Sequence, residues 1–80
     1  MPSIRVQYFA MLREKAGTES EVFTGEFKTH SDLYKLLDKK YNFDLPSNMV
    51  QVAANDEFIS MERLIDTDST VVFIPPVAGG

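Results

Sequence analysis

The chain has no cysteine, no tryptophan and a single histidine, His30, among its 80 residues. Without cysteine there is no disulfide framework, no thiolate nucleophile and no zinc ribbon. One histidine cannot build a His-based metal cluster, so no metal set is expected. Basic charge is also scarce: eight Lys and Arg face twelve Asp and Glu, for a net charge of −4. The basic residues are dispersed, with only Lys39 and Lys40 adjacent, which argues against binding of nucleic acid. No apolar run approaches the ~20 residues of a membrane span. The opening MPSIRVQYF lacks a long apolar core or a cleavage site, so no signal peptide is expected. A cytoplasmic protein is the expectation, with no membrane or nucleic-acid partner. A multi-group active site built from this chain alone is not expected.

What is present reads as one small globular domain. Hydrophobic residues make up 44% and charged residues 25%, ordinary values for a folded protein. A chain of this length buries roughly 60% of its unfolded surface, enough for one small core. Residues 4–9 alternate, with Ile4, Val6 and Tyr8 on one face and Arg5, Gln7 and Phe9 on the other, which predicts a strand. Residues 10–16 favour a short helical turn stopped by Gly17. Residues 21–27 predict a second strand, with Gly25 at a bulge or bend, completing a hairpin-like unit with the first. Thr29 followed by Asp32 is a capping-box variant. Leu33, Leu36, Leu37 and Tyr41 then mark the main helix over 29–41. Lys39 and Lys40 fall in its last turn, where cations suit the helix dipole.

Beyond the helix, residues 42–48 with Pro46 predict a loop, and 49–54 a strand with Val50 and Val52 on one face. Asn55-Asp56 is a turn signal. Residues 57–60 predict a short strand, 63–65 a single turn and 66–69 a polar loop. Val71-Val72-Phe73-Ile74 predicts the last strand, ended by Pro75-Pro76. This order, with one main helix among strands, fits an α+β fold: a mixed sheet with the helix packed on one face. The last strand is apolar at every position and so is expected at the centre.

One helix covers one face of a sheet. By parity the other face presents Phe9, Val72 and Ile74, with Phe58 as a neighbour. An uncovered apolar patch on a small domain marks a binding surface; the plainer alternative is that loops cover it. Other features read as structure. His30 beside the helix cap is expected as a solvated first-turn residue. Asp66-Thr67-Asp68 lacks the Gly and distal Glu of a calcium loop and reads as a turn. Leu33, Leu36 and Leu37 are core, and Met11, Met49 and Met61 fill the core or the patch.

The end of the chain, Pro75-Pro76-Val77-Ala78-Gly79-Gly80, carries the chemistry. The two prolines stop the sheet and launch a semi-stiff segment outward. The five residues 76–80 reach about 16 Å when extended, and the last two have no side chain. Such a segment fits a narrow channel with its carboxylate at the tip. A carboxylate is inert to nucleophiles, but once adenylated it is a good electrophile and a route to a thiocarboxylate. The domain is therefore expected over 1–75 and an extended tail over 76–80.

These residues resemble the small sulfur-carrier subunits of molybdopterin synthases, within the ubiquitin-like β-grasp superfamily. The resemblance spans the chain and rests on Tyr8-Phe9-Ala10-Met11-Leu12-Arg13-Glu14 with Gly17, on Thr29 and Leu33, on Ala54-Asn55, and on Asp66 and Asp68 leading into Val71 to Gly80. The family commonly has Phe-Phe before the prolines; here the pair is Phe73-Ile74. The resemblance implies that Gly80, preceded by Gly79, is adenylated by an E1-like adenylyltransferase and charged by a sulfur donor protein to a C-terminal 1-thioglycine. It implies that the segment Pro76, Val77, Ala78, Gly79 and Gly80 inserts into the large subunit and delivers sulfur to cyclic pyranopterin monophosphate, building the molybdopterin dithiolene. The implied assembly is a heterotetramer. No cofactor is expected on this chain: no Gly-rich phosphate loop is present, so ATP belongs to the activating partner. Phe9, Phe58, Val72 and Ile74, with Pro75, Pro76, Val77 and Ala78, are the expected partner-binding residues. Thiamine thiazole synthesis, protein modification through Gly80 and a plain interaction domain are the competing readings.

Overall fold

The computed structural model describes residues 2–76. Strand β1 (Ser3–Tyr8) buries every second residue, as its alternation requires. Helix α1 (Met11–Ala16) follows at once and stops at Gly17, whose φ of 75° is the left-handed cap that glycine adopts without strain. Strand β2 (Ser20–Thr24) returns antiparallel to β1, pairing Ile4 with Phe23 and Val6 with Glu21. The strand expected over 21–27 ends earlier, at Thr24. The Gly25 N–H still bonds the carbonyl of Pro2, the next rung in register, and beyond it Phe27 packs beside Phe23 with ring centroids 6.3 Å apart.

Helix α2 (His30–Tyr41) begins at a complete capping box: the Thr29 hydroxyl accepts from the Asp32 N–H, and the Asp32 carboxylate accepts from the Thr29 N–H. It ends at Asn42, which is left-handed with φ 56°. That reversal turns Phe43 inward, onto Tyr34 at 5.8 Å. The Tyr34 hydroxyl donates to the Leu45 carbonyl at 2.6 Å, and burial pushes its pKa up to about 12, so it stays a donor. A 3-10 turn (Ser47–Met49) then delays the next strand, so β3 (Gln51–Ala54) starts later than the alternation suggested. Strand β4 (Glu57–Ile59) pairs back onto β3 through a two-residue turn in which Asn55 and Asp56 both have positive φ, the backbone that tight hairpins require.

Strand β5 (Thr70–Ile74) lies at the centre of a sheet ordered β2-β1-β5-β3-β4, parallel to β1 and antiparallel to β3. This is the ubiquitin-like β-grasp fold. Helix α2 supplies Leu33, Tyr34 and Leu37 to a core shared with Ile4, Val6, Val52, Val71 and Phe73.

Two expectations fail in one place. Residues 63–65 form no turn of their own. The turn closes earlier, with Arg63 N–H on the Ser60 carbonyl, and Leu64 forms an isolated bridge to Thr29. Segment 61–65 is thereby stitched along the start of α2, and His30 beneath it is 2% exposed rather than solvated. No helix among the described residues is long and apolar enough to cross a membrane.

Candidate functional site

The face of the sheet opposite α2 is the candidate site. Register places Gln7, Val72, Ala53 and Phe58 side by side across β1, β5, β3 and β4. Val72 and Phe58 therefore stand two strands, about 10 Å, apart. Ile74 lies opposite Gln51 at the end of β5. Phe9 follows directly on Tyr8, the residue paired with Phe73, so Phe9 and Ile74 occupy the same end of the sheet.

Exposure separates these residues. Phe9 is 59% and Phe58 68% exposed, large apolar side chains left in water on a domain of this size. Val72 and Ile74 are half-buried by their strand neighbours. The structure thus brings Phe58, Val72 and Ile74 onto one face, with Phe9 just past β1 at the Ile74 end of the sheet and the two phenylalanines the most exposed of the four. Met49, expected in the core or the patch, is 49% exposed and lines a groove with Ile74. Val22, opposite Arg5, is 57% exposed and was not among the expected residues, although its parity is opposite to that of the inward Phe23.

The tail root adjoins this face. Pro75 is buried and Pro76 is exposed. Both line a groove of about 300 Å³ together with Ile74, Gln51, Asn48 and Met49. Val77, Ala78, Gly79 and Gly80 lie outside the described residues.

The strand end that presents Phe9 is held from behind. The hydroxyls of Tyr8 and Tyr41 both donate to Oε2 of Glu21, the former at 2.5 Å, and Lys40 Nζ stands 3.4 Å from Oε1. This cluster joins β1, β2 and the last turn of α2. Burial alone would raise the Glu21 carboxyl, but the two tyrosine hydroxyls and the Lys40 ammonium outweigh it and hold it below the usual carboxylate range. Burial, then the Glu21 carboxylate, push the Tyr8 hydroxyl far up, so it remains a donor. Neither the alternation nor the helix stripe reveals this cluster, whose members come from three elements. Chemically, the face offers apolar contact area and a rigid exit for the chain; among the described residues no group of three His, Cys, Asp or Glu could hold a metal ion.

Comparison with known proteins finds relatives in sequence and in fold. The molybdopterin synthase sulfur carrier subunit of Escherichia coli K12 is 28% identical over 80 residues, covering 96% of this chain and 99% of its own. The fold is shared with small archaeal modifier protein SAMP1 of Haloferax volcanii, at a TM-score of 0.76, 20% identity and coverage of 98% and 99%. It is shared as well with a chain in the complex of subunits 1 and 2 of the Helicobacter pylori molybdopterin-converting factor, at a TM-score of 0.66, 19% identity and coverage of 98% and 99%. The ThiS family model matches residues 6–80, nearly the whole sequence, and the chain belongs to the ThiS family.

Proposed function

We propose that this chain is a sulfur carrier, the small subunit of a molybdopterin synthase, whose working group is the main-chain carboxylate of Gly80. The observation that carries the reading is that the family match runs through Gly79-Gly80, the continuation of the central strand past Pro75-Pro76. The side-chain inventory agrees, since the domain offers a rigid handle rather than an acid, base or nucleophile.

An activating E1-like enzyme supplies ATP. A Gly80 carboxylate oxygen attacks the α-phosphorus, pyrophosphate leaves, and an acyl adenylate forms. A sulfide equivalent from a donor protein then displaces AMP, leaving the thiocarboxylate. Glycine at both terminal positions keeps that carbonyl unhindered and leaves the backbone free in φ. Within the large subunit the sulfur attacks a side-chain carbon of cyclic pyranopterin monophosphate and the oxygen substituent on that carbon leaves; water then hydrolyses the resulting thioester, leaving sulfur on the pterin and releasing the chain as carboxylate for recharging. Phe9, Phe58, Val72 and Ile74 dock the partners, and the segment from Pro76 to Gly80 reaches the reaction centre. The relative from Escherichia coli, matched over nearly its full length, and the two-subunit complex from Helicobacter pylori support a large-subunit partner. The proposed assembly is a cytoplasmic heterotetramer.

Intact-mass measurement after incubation with the organism's activating enzyme, ATP and a sulfur donor tests the reading. The expected product carries one sulfur in place of one oxygen, mapped to Gly80, and a residue appended after Gly80 abolishes it without unfolding the domain. Normal sulfur transfer by the extended chain overturns the proposal, and an isopeptide adduct through Gly80 replaces the carrier with a protein modifier.

A further inference from the structure

His30 is a titratable group that the sulfur chemistry does not use, and its surroundings are specific. The ring is 2% exposed. Its Nδ1 lies 2.7 Å from the carbonyl oxygen of Arg63. A carbonyl only accepts, so Nδ1 carries the proton and the neutral ring leaves Nε2 as a bare acceptor. Nε2 is buried and has no hydrogen-bond partner among the described residues. The same Arg63 carbonyl also accepts from the His30 backbone N–H at 3.2 Å. Around it, the Ser31 N–H donates to Met61 at 2.7 Å and the Ile65 N–H to Lys28 at 2.8 Å. His30 is thus the one side chain in a line of backbone bonds that straps 61–65 to the first turn of α2.

We propose that His30 is a proton-sensitive latch on this strap: neutral, it fits its seat and holds segment 61–65 closed; protonated, it releases the segment from the start of α2. The cause is local. A second proton must go on Nε2, creating a buried N–H and a full charge with no acceptor among the described residues, and such a group is costly to bury. The charged groups around the ring do not compensate in the closed state. Arg63 brings like charge, and Asp32 on the same first turn is already engaged with the backbone N–H groups of Thr29 and Lys28. Of the other nearby carboxylates, Glu57 and Asp66 line a cleft of about 160 Å³ together with His30, Asn55, Arg63 and Leu64, and Glu62 lies on the strap itself. None of them accepts from Nε2, which is buried without a partner among the described residues. Burial, opposed by the Arg63 carbonyl, lowers the His30 pKa, in the direction this geometry requires. Leu64, 70% exposed on the outside of the strap, contributes little to holding it shut.

Amide exchange followed by NMR, corrected for intrinsic pH dependence, tests the latch on the whole chain. The opening equilibrium rises about tenfold per pH unit below the unfolded-state histidine pKa, until the closed state itself titrates. The amides of His30, Ser31 and Ile65 should therefore lose protection about tenfold per unit as pH falls below ~6.5, while the amides pairing β1 with β5 keep theirs. The loss should level off where the ring of His30 itself becomes charged. In His30→Asn, whose side-chain amide still donates to the Arg63 carbonyl but does not titrate, those amides should be insensitive to pH. The proposal is overturned if the ring charges while the three amides stay protected, or if the variant shows the same loss. Should the variant fail to fold, the natural chain decides: a loss that runs on unchanged through the pH at which the ring charges, or a loss shared by the β1–β5 amides, overturns the proposal.

Discussion

At the scale of single residues, Glu21 shows how a carboxylate on a strand becomes a fixed point. Both tyrosine hydroxyls converge on one oxygen and Lys40 stands by the other. In the folded chain the carboxyl is held below its ordinary value of 4.5. The unfolded chain therefore binds the proton more readily, and the stabilisation is complete above that value and lost as pH falls through the folded pKa. Glu21→Gln, which keeps an acceptor but not the charge, should lower stability at neutral pH by about 1 kcal/mol, since the partly exposed Lys40 side is screened. The deficit should shrink toward zero as pH falls below 4.5 and through the folded pKa. Urea unfolding of both chains across a pH series measures it, and a deficit constant with pH removes the charge from the account.

The same residues mark where reading the sequence stops. Alternation along Ile4, Val6 and Tyr8 tells that Tyr8 points inward. It does not tell that its hydroxyl meets a carboxylate 13 positions on and shares it with Tyr41, another 20 positions beyond. His30 was misjudged for a related reason. Next to a helix cap, a polar residue is ordinarily in water, and only the backbone pairing of a segment more than 30 positions away buries it. Side-chain patterns carry no record of such pairing.

At the scale of elements, legibility is higher because local physics decides. The Thr29–Asp32 box and the stripe of Leu33, Leu36 and Leu37 define α2, and both sides of the box are made. Backbone N–H groups of Thr29 and Lys28 are the main reason the Asp32 carboxyl lies below its usual range, so the first turn is bound to a charge that suits the helix N-terminus. Thr29→Ala removes the acceptor for the Asp32 N–H and should cost about 1 kcal/mol. Chemical denaturation should show a lower midpoint with an unchanged slope. A change in slope instead signals that the strap lying against this turn has come loose. Element ends were less legible than their centres. Strand β2 stops where its partner β1 begins, with Gly25 on the Pro2 carbonyl just past its end, and β3 starts late behind a 3-10 turn, events set by neighbours rather than by the strands' own residues.

At the scale of the molecule, one strand does two things: β5 is the middle of the sheet and the last element before the tail. Its inward residues, Val71 and Phe73, are buried, and its outward residues, Val72 and Ile74, belong to the open face. Under the proposed function, a partner that covers that face also meets Pro75 and Pro76, which would couple docking to delivery of Gly80. The two functions separate by mutation. Phe58 sits on an edge strand, two-thirds exposed and outside the core cluster, and Phe9 stands just past β1. Phe58→Asp or Phe9→Asp therefore leaves the core intact, whereas Ile74→Asp puts a charge into a half-buried central strand. Exposed aromatic residues at the centre of an interface commonly contribute a tenfold or greater share of affinity. Each phenylalanine variant should bind the large subunit at least about tenfold more weakly by calorimetry, with its thermal midpoint within a few degrees of the natural chain. Once bound at saturating concentration, either variant should still transfer sulfur, because Gly79 and Gly80 are untouched. A chain lacking Gly80 should do the reverse, docking through the same face but delivering nothing. Unchanged affinity in both phenylalanine variants would move the docking surface off this face and leave the tail alone to recruit the partner.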